Sequence, residues 1–274
     1  MLKISETLRV SRSIGDLLSD PSRAGAYGQE APKTPFNVTV SQYRNVAFGT
    51  LPLSAVRAVG KKCRASINDT FLAICAGGIR AYLQNKELLP EKSLIAGVPV
   101  SLRKPGDEGM DNRVSMMLAS LASDLDDPLE RLNAIRASTA AAKRVVAKMS
   151  QLPAVDPHIP GMPIAAASMA QFAEDLRLAD ATAPTTNVVI SNVPGPRTEK
   201  YLCGARMVTH YPVSIAANGA ALNITVQSYS DRMDFSVTAC LEAVPDAQDL
   251  VEHILTSWRQ LEVAAMHDVV CDAA

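Results

Sequence analysis

The sequence predicts an α/β fold, more narrowly an α+β two-layer sandwich, in which one mixed β-sheet is covered on one face by helices. Short β-branched runs and amphipathic helical patterns follow one another irregularly along the chain, which is typical of a mixed sheet. Two of the runs, at 221–229 and 232–240, are separated only by Ser230-Asp231 and predict a hairpin. With 274 residues, 47% of them hydrophobic, the chain can bury a full core.

Residues 1–35 are predicted to form an amphipathic segment and a linker. Apolar residues recur at roughly helical spacing at 4, 8, 14 and 18, and residues 20–35 are rich in Pro, Gly, Ala and charge. Two interpretations stay open: the segment lies against something that these residues do not include, or it is a frayed terminus.

The strongest helical pattern follows an extended stretch at 36–53 and a short helix at 54–64. It starts near Asn68, runs to about residue 83, and has one continuous apolar face. Ser66 or Asn68 can cap it, and Asp69 lies where the helix dipole favours an anion. Its Gly77-Gly78 pair costs about 1 kcal/mol per glycine relative to alanine, so we expect another backbone or a ligand to approach closely there.

A buried strand at 94–102 is predicted next, ending in Ser101 and followed by Arg103. Polar residues at the end of a buried strand are a usual place for function in open sheets. A further strand is predicted at 114–122. Asp127 and Pro128 then begin a long helix with an acidic cap and proline in its first turn.

The stretch TNVVISNVPGP at 186–196 is predicted to be a central strand with a rigid exit. Asn187 to Ile190 is β-branched, and Pro194-Gly195-Pro196 forbids a longer strand or a helix behind it. Such a turn either sets topology only or presents a surface. Beyond it we predict strands at 203–211, 221–229 and 232–240, and a final helix from about residue 245; a helix is also predicted at 165–178.

Composition excludes several function classes. The 27 basic and 28 acidic residues give no footprint for nucleic acid. Five widely spaced cysteines without a CxxC pair predict reduced thiols in a cytoplasmic protein and no metal site. The four histidines have no spacing that suits metal ligation or nucleophile activation, and no GxSxG, Walker, Rossmann or HExxH motif is present. The residues alone therefore indicate a scaffold without a catalytic group.

Five motifs in register resemble the C-terminal half of bacterial wax ester synthase/diacylglycerol acyltransferases. They are Asn68-Asp69 before TFLAICAGGIRAYL, VPVSLR at 98–103, DPLERL at 127–132, SNVPGP at 191–196, and the run from Asn218-Gly219 to Ser228-Tyr229. Each motif alone is weak, but their common order makes the resemblance specific. It covers about residue 36 to the final helix, and so divides the chain into an acyltransferase lobe at 36–265 and a tail at 266–274.

The resemblance implies one half of the two-lobed, chloramphenicol acetyltransferase-like fold, whose active site lies in a tunnel between the lobes. It implies long-chain acyl-CoA as substrate, with no bound cofactor, and a fatty alcohol or diacylglycerol as acceptor. The product would be a wax ester or a triacylglycerol. The residues expected at the tunnel or the lobe interface are Asn68, Asp69, Ser101, Arg103, Asn192, Pro194, Gly195, Pro196, Asn218 and Gly219.

A structural role stands beside each of these functional ones. Asn68 and Asp69 can serve as helix caps, and Asn218 as a turn residue. Arg103 is either a solvated cation or a contact for CoA phosphates or for a carboxylate of the other lobe.

One departure from the family pattern is decisive for chemistry. Family members carry an HHxxxDG motif in their N-terminal half, and its second histidine is the general base that deprotonates the acceptor alcohol. No such motif occurs in these 274 residues, so no catalytic residue is assigned here. A positioned base contributes about 10²- to 10⁴-fold to the rate. A smaller departure is Asp111-Asn112, where relatives have Gly-Asn.

Two hypotheses of different class follow. In the first, the chain is the C-terminal lobe of an acyltransferase, separated from an HHxxxDG lobe by truncation, gene splitting or a mis-assigned start at Met1, and partnered by that lobe in cis or in trans. In the second, it is an inactive, stand-alone binding module. The first predicts an exposed apolar face that supports self-association, and leaves open peripheral contact with a membrane or lipid-droplet surface.

Overall fold

The computed structural model describes residues 13–20, 24–102, 114–151, 168–169, 171–172 and 174–267. Its labelled helices are α1 (Leu53–Lys62), α2 (Ile67–Asn85), α3 (Pro128–Met149), α4 (Leu178–Ala181) and α5 (Ala247–His267). Its strands are β1 (Arg44–Pro52), β2 (Ile95–Ser101), β3 (Val114–Ser120), β4 (Val188–Val193), β5 (Tyr201–Leu202), β6 (Ala205–Arg206), β7 (Leu222–Tyr229) and β8 (Arg232–Cys240). Residues 13–18 are also helical.

Six of the strands form one mixed sheet in the order β1-β8-β7-β4-β2-β3. Strand β4 runs parallel to both of its neighbours, β2 and β7. The other three pairs are antiparallel, including the β7–β8 hairpin. The predicted mixed fold, the central position of the β4 run and the hairpin are therefore confirmed.

The helix layer lies on one face of the sheet, as predicted. Side chains that alternate along β7 and β8, such as Ile224, Phe235 and Val237, are fully buried in the same apolar cluster as α2, α3 and α5. The ring of Phe71 on α2 meets that of Phe235, with 6.2 Å between centroids. One continuous core thus joins the helices to the sheet.

The two glycines of α2 allow a close helix crossing. A β-carbon at Gly77 would overlap the side chain of Ser257 on α5, and one at Gly78 would lie 2.5 Å from Cγ1 and 2.7 Å from Cα of Ile254. The predicted close approach of another backbone is therefore confirmed. The neighbouring backbone is that of α5 and not a strand of the sheet.

The second face of the sheet is polar and is crossed by an irregular segment, residues 207–216. Asp234 on β8 is fully buried there. Its carboxylate accepts a bond of 2.9 Å from the backbone N–H of His210, and the hydroxyl of Tyr211 lies 3.2 Å from that of Thr50 on β1. This segment rests on buried polar groups of the sheet.

The predicted strand at 203–211 is wrong. Cys203 and Gly204 both have positive φ and turn the chain back into the short β5–β6 hairpin. The extended stretch predicted at 36–53 forms a strand only from Arg44 onward, and β3 ends at Ser120. The helix predicted at 165–178 lies partly outside the described residues; 168–169, 171–172 and 174–175 are helical.

Candidate active-site half

A cavity of about 610 Å³ lies where β4 and β7 end. Because parallel strands end at the same edge of a sheet, Asn192 and Ser228 arrive at this edge together. We call it the strand-end cavity; it is lined by Leu53, Arg57, Ile67, Asn192, Pro194, Gly195, Pro196, Arg197, Ser228, Ser230, Asp231 and Met233. The Pro194-Gly195-Pro196 turn therefore forms one wall of the cavity.

That wall is fixed to the β7–β8 hairpin. The N–H of Gly195 donates to the hydroxyl of Ser228 at 3.0 Å, and the N–H of Ser230 donates to the carbonyl of Pro196 at 3.0 Å. A β-carbon at Gly195 would overlap the carbonyl oxygen of Ser228. Proline rings on both sides restrict the backbone further. The wall is therefore rigid, and only glycine fits at its centre.

The hairpin turn also holds the start of α1. The carboxylate of Asp231 accepts bonds of 3.0 Å from the backbone N–H and from the hydroxyl of Ser54, and its carbonyl accepts the N–H of Leu53 at 3.0 Å. This side chain replaces the missing cap, since the N-cap residue Pro52 has no side-chain acceptor. Among the described residues that line the strand-end cavity, Asp231 carries the one carboxylate, and it is thus engaged in fixing the wall.

Asn68 and Asp69 have different surroundings despite being adjacent. Asp69 is 4% exposed; its Oδ2 accepts from the N–H and hydroxyl of Ser66, and its Oδ1 accepts from the hydroxyl of Thr139 at 2.7 Å. Ser66 returns the bond as N-cap, which completes a capping box. Asp69 therefore fixes the start of α2 and joins it to α3.

Asn68 is half-buried and makes no side-chain hydrogen bond within the described part of the chain. It follows Ile67, which lines the strand-end cavity. Asn192 at the end of β4 likewise has no side-chain partner among the described residues, and it lines the cavity itself. Two amides near this cavity are therefore free to bind a ligand or another surface.

Two arginines at the strand-end cavity were not identified from the sequence. Arg57 projects from α1 and Arg197 follows the proline turn; both are exposed, and neither has an ion-pair partner within the described residues. The signal available for Arg197 was its place directly after the proline turn. Arg57 had none, because nothing in the sequence brings α1 to the end of β4.

The remaining site residues from the sequence lie elsewhere. Ser101 ends β2, which is parallel to β4, so it reaches the same edge of the sheet without lining the cavity. Arg103 lies outside the described residues, as does Asp111-Asn112. Asn218 and Gly219 precede β7, so they lie at the end of this strand that is remote from the strand-end cavity. There they bind the 36–40 segment, Asn218 accepting from Val40 N–H at 2.9 Å.

The described histidines lie away from the strand-end cavity. His210 crosses the second face of the sheet, while His253 and His267 are on α5, His253 being 3.2 Å from the amide of Asn85. His158 lies outside the described residues. Across the described ranges, no three His, Cys, Asp or Glu side chains are grouped so as to hold a metal ion, and no described helix is long and apolar enough to cross a membrane.

Comparison with known protein families shows where the chain belongs. The WS/DGAT C-terminal domain model matches residues 110–262, more than half of the chain. The chain belongs to the wax ester synthase/diacylglycerol acyltransferase family. The model of the family's catalytic domain matches residues 3–71, so the resemblance drawn from the five motifs is confirmed.

Relatives and solved structures agree with this assignment. The chain is 42% identical over 258 residues to a putative diacylglycerol O-acyltransferase of Mycobacterium tuberculosis, covering 94% of the chain and 55% of the relative. It is 37% identical over 244 residues to the O-acyltransferase WSD of Acinetobacter baylyi, covering 87% and 50%. The chain thus spans about half the length of the curated relatives it matches.

The fold is that of a solved family member. The wax ester synthase/diacylglycerol acyltransferase from Marinobacter aquaeolei VT8 superposes with a TM-score of 0.67 at 30% identity, covering 94% of this chain and 57% of that one. The X-domain from teicoplanin biosynthesis, at 14% identity and a TM-score of 0.55, shares the fold alone.

Proposed function

We propose that this chain supplies the C-terminal half of the active site of a long-chain acyl-CoA-dependent O-acyltransferase, and that an HHxxxDG lobe supplies the base. The observation that carries the proposal is the rigid cavity walled by Asn192 to Pro196 in a family of acyltransferases. Rigid walls suit a site that must hold two substrates in one geometry.

The reaction would divide its tasks between the two lobes. The acceptor oxygen attacks the thioester carbonyl, the hydroxyl proton passes to the base on the other lobe, the C–S bond breaks, and the base returns the proton to the departing thiolate so that CoA leaves as a thiol. On this chain, the free amides of Asn68 and Asn192 are suited to orient the substrates, because an amide can both donate and accept. Asp69 positions Asn68 through the capping box of α2.

Complementation tests the proposal. The purified chain is assayed for transfer from palmitoyl-CoA to hexadecanol and to dipalmitoylglycerol, alone and fused behind the HHxxxDG half of the Acinetobacter relative. We expect background transfer from the chain alone and turnover from the fusion. The control is the same fusion with the second motif histidine replaced by alanine.

Activity of the lone chain, abolished by replacing one of its own histidines such as His210, would overturn the proposal. A folded fusion without turnover would favour the alternative, a stand-alone interaction module. The apolar side chains of Val208, Val213 and Ile215, which are 62%, 62% and 77% exposed, do not favour that alternative, because an exposed apolar face is what a lobe separated from its partner predicts.

A further inference from the structure

The strand-end cavity is lined by two cations and, among the described residues, one carboxylate. Arg57 and Arg197 both line it, and neither forms an ion pair with any described residue. Some described arginines elsewhere do pair with carboxylates, as Arg177 does with Asp180 at 2.6 Å. Two unpaired guanidinium groups around one concave surface concentrate positive potential there.

The neighbouring carboxylate of Asp231 offsets only part of this charge, since two arginines face one carboxylate among the described lining residues. Both oxygens of Asp231 accept hydrogen bonds from Ser54 at the first turn of α1. Both helices that begin at the cavity are capped, α1 by Asp231 and α2 by Ser66 with Asp69. The attraction for an anion therefore comes from the two arginine side chains.

The shape of the cavity narrows the class of anion. Leu53, Ile67 and Met233 contribute apolar surface beside the arginines. Its volume of about 610 Å³ greatly exceeds what a single phosphate needs and lies in the range of cavities that bind small organic ligands. Guanidinium groups bind phosphate oxygens in bidentate geometry. The combination suits a phosphate ester attached to a larger organic body.

We propose that Arg57 and Arg197 form a phosphate subsite that binds the diphosphate and 3′-phosphate end of the CoA donor. The assignment rests on the proposed function for the identity of the donor. It makes the two arginines specificity-determining residues: they distinguish a CoA thioester from a thioester without phosphates. Because both arginines belong to this chain, the subsite must bind CoA without the other lobe.

Isothermal titration of the chain with free CoA tests the subsite directly. We expect CoA to bind, and pantetheine, which lacks the phosphates, to bind at least about tenfold more weakly. Arg57→Gln and Arg197→Gln should each weaken CoA binding about fivefold or more, and raised salt should weaken it in the parent chain. The matched control is Arg259→Gln on α5, an exposed arginine outside the cavity, which should leave CoA affinity unchanged.

Equal CoA affinity in the parent chain and both cavity variants would overturn the subsite, as would the absence of CoA binding. Vesicles of phosphatidylcholine with a fifth of phosphatidylglycerol test the other source of phosphate. If the two variants lose vesicle binding while their CoA binding is unchanged, the arginines bind lipid headgroups and the proposal is wrong.

The fusion assay separates this proposal from the proposed function. If the fusion turns over and the arginine variants raise KM for palmitoyl-CoA but not for hexadecanol, both stand. If CoA binds through the arginines and the fusion is inactive, the subsite stands and the acyltransferase proposal fails. If turnover appears with KM unchanged in both variants, the subsite fails and the acyltransferase proposal stands.

Discussion

Cavities of similar volume lie at the two ends of the six-stranded sheet, and their polar groups are arranged in contrasting ways. The strand-end cavity measures about 610 Å³, and the opposite one, beside Ser41, Cys240 and Glu242, about 650 Å³. In the opposite cavity Glu242 accepts bonds of 2.6 Å from the hydroxyl of Ser41 and 3.0 Å from the thiol of Cys240, and Arg177 pairs with Asp180.

The strand-end cavity leaves its arginines and amides without partners among the described residues, whereas in the opposite cavity Glu242 and Arg177 have partners and only the hydroxyl of Thr39 is buried without one within that part of the chain. Volume therefore does not distinguish a binding site from a structural cleft in this protein. Unpaired arginines and amides on a rigid wall do distinguish the two, because a ligand can supply the missing hydrogen bonds and the protein loses little conformational entropy when it binds.

The largest expected effect tests the rigidity of the strand-end wall. Gly195→Ala should lower the free energy of unfolding by about 3 kcal/mol, because the new methyl group overlaps a backbone oxygen that cannot rotate away. Urea denaturation measures the change. Gly97→Ala on β2 is the matched control: its nearest neighbour is the flexible Met116 side chain at 3.1 Å, and it should cost about 1 kcal/mol or less. Equal losses would show that the turn is compliant.

Two smaller effects distinguish the roles of Asn68 and Asp69. Asp69→Ala should lower the free energy of unfolding by about 2 kcal/mol, since it removes the capping box and the bond from Thr139. Asn68→Ala should change it by about 0.5 kcal/mol or less, because Asn68 has no side-chain partner to lose among the described residues. In the fusion assay Asn68→Ala should nevertheless lower kcat. If it leaves turnover unchanged, the free amide has no role in the site.

The smallest effect concerns the opposite cavity. Hydrogen bonds from Cys240 and then Ser41 lower the pKa of Glu242 below its ordinary value of 4.5. A lowered pKa in the folded state stabilises the protein above pH 4.5, and this contribution is lost as the pH falls through the folded value. Glu242→Gln should therefore lower the melting temperature slightly at pH 7, with the difference from the parent vanishing in acid.

The same Glu242→Gln variant sharpens the contrast between the cavities. Its CoA affinity should equal that of the parent chain, whereas Arg57→Gln weakens binding. Loss of CoA binding in Glu242→Gln would mean that the opposite cavity, or a coupling between the two, takes part in donor binding.

Local patterns were enough to predict the elements of the sheet that matter most. The β-branched run and proline turn gave the central strand and its end, and Ser230-Asp231 gave the hairpin. Ser66 was one of the two caps that the sequence offered for α2, and the structure confirms it. These features depend on neighbours in the chain, which is why they were accessible without a structure.

The cavity itself depends on contacts between distant segments, which no local pattern encodes. Asp231 caps α1 from 177 residues away, and this contact brings Arg57 to the wall that Arg197 follows. Gly78 packs against Ile254 on α5. The glycine pair in the sequence indicated a close contact, but it did not identify the element that makes this contact. The irregular path of 207–216 likewise follows from the buried carboxylate of Asp234.

Photolabelling tests most directly whether the strand-end cavity is the part of the acyltransferase site that this chain contributes. An acyl-CoA analogue with a photoreactive group on its adenine, next to the phosphates, is bound to the fusion protein and irradiated, and the labelled sites are mapped by mass spectrometry. The account predicts labelled peptides containing residues 192–197 or 228–233, and loss of that label in Arg57→Gln. Labelling at 38–41 or 240–243, around the opposite cavity, would contradict it.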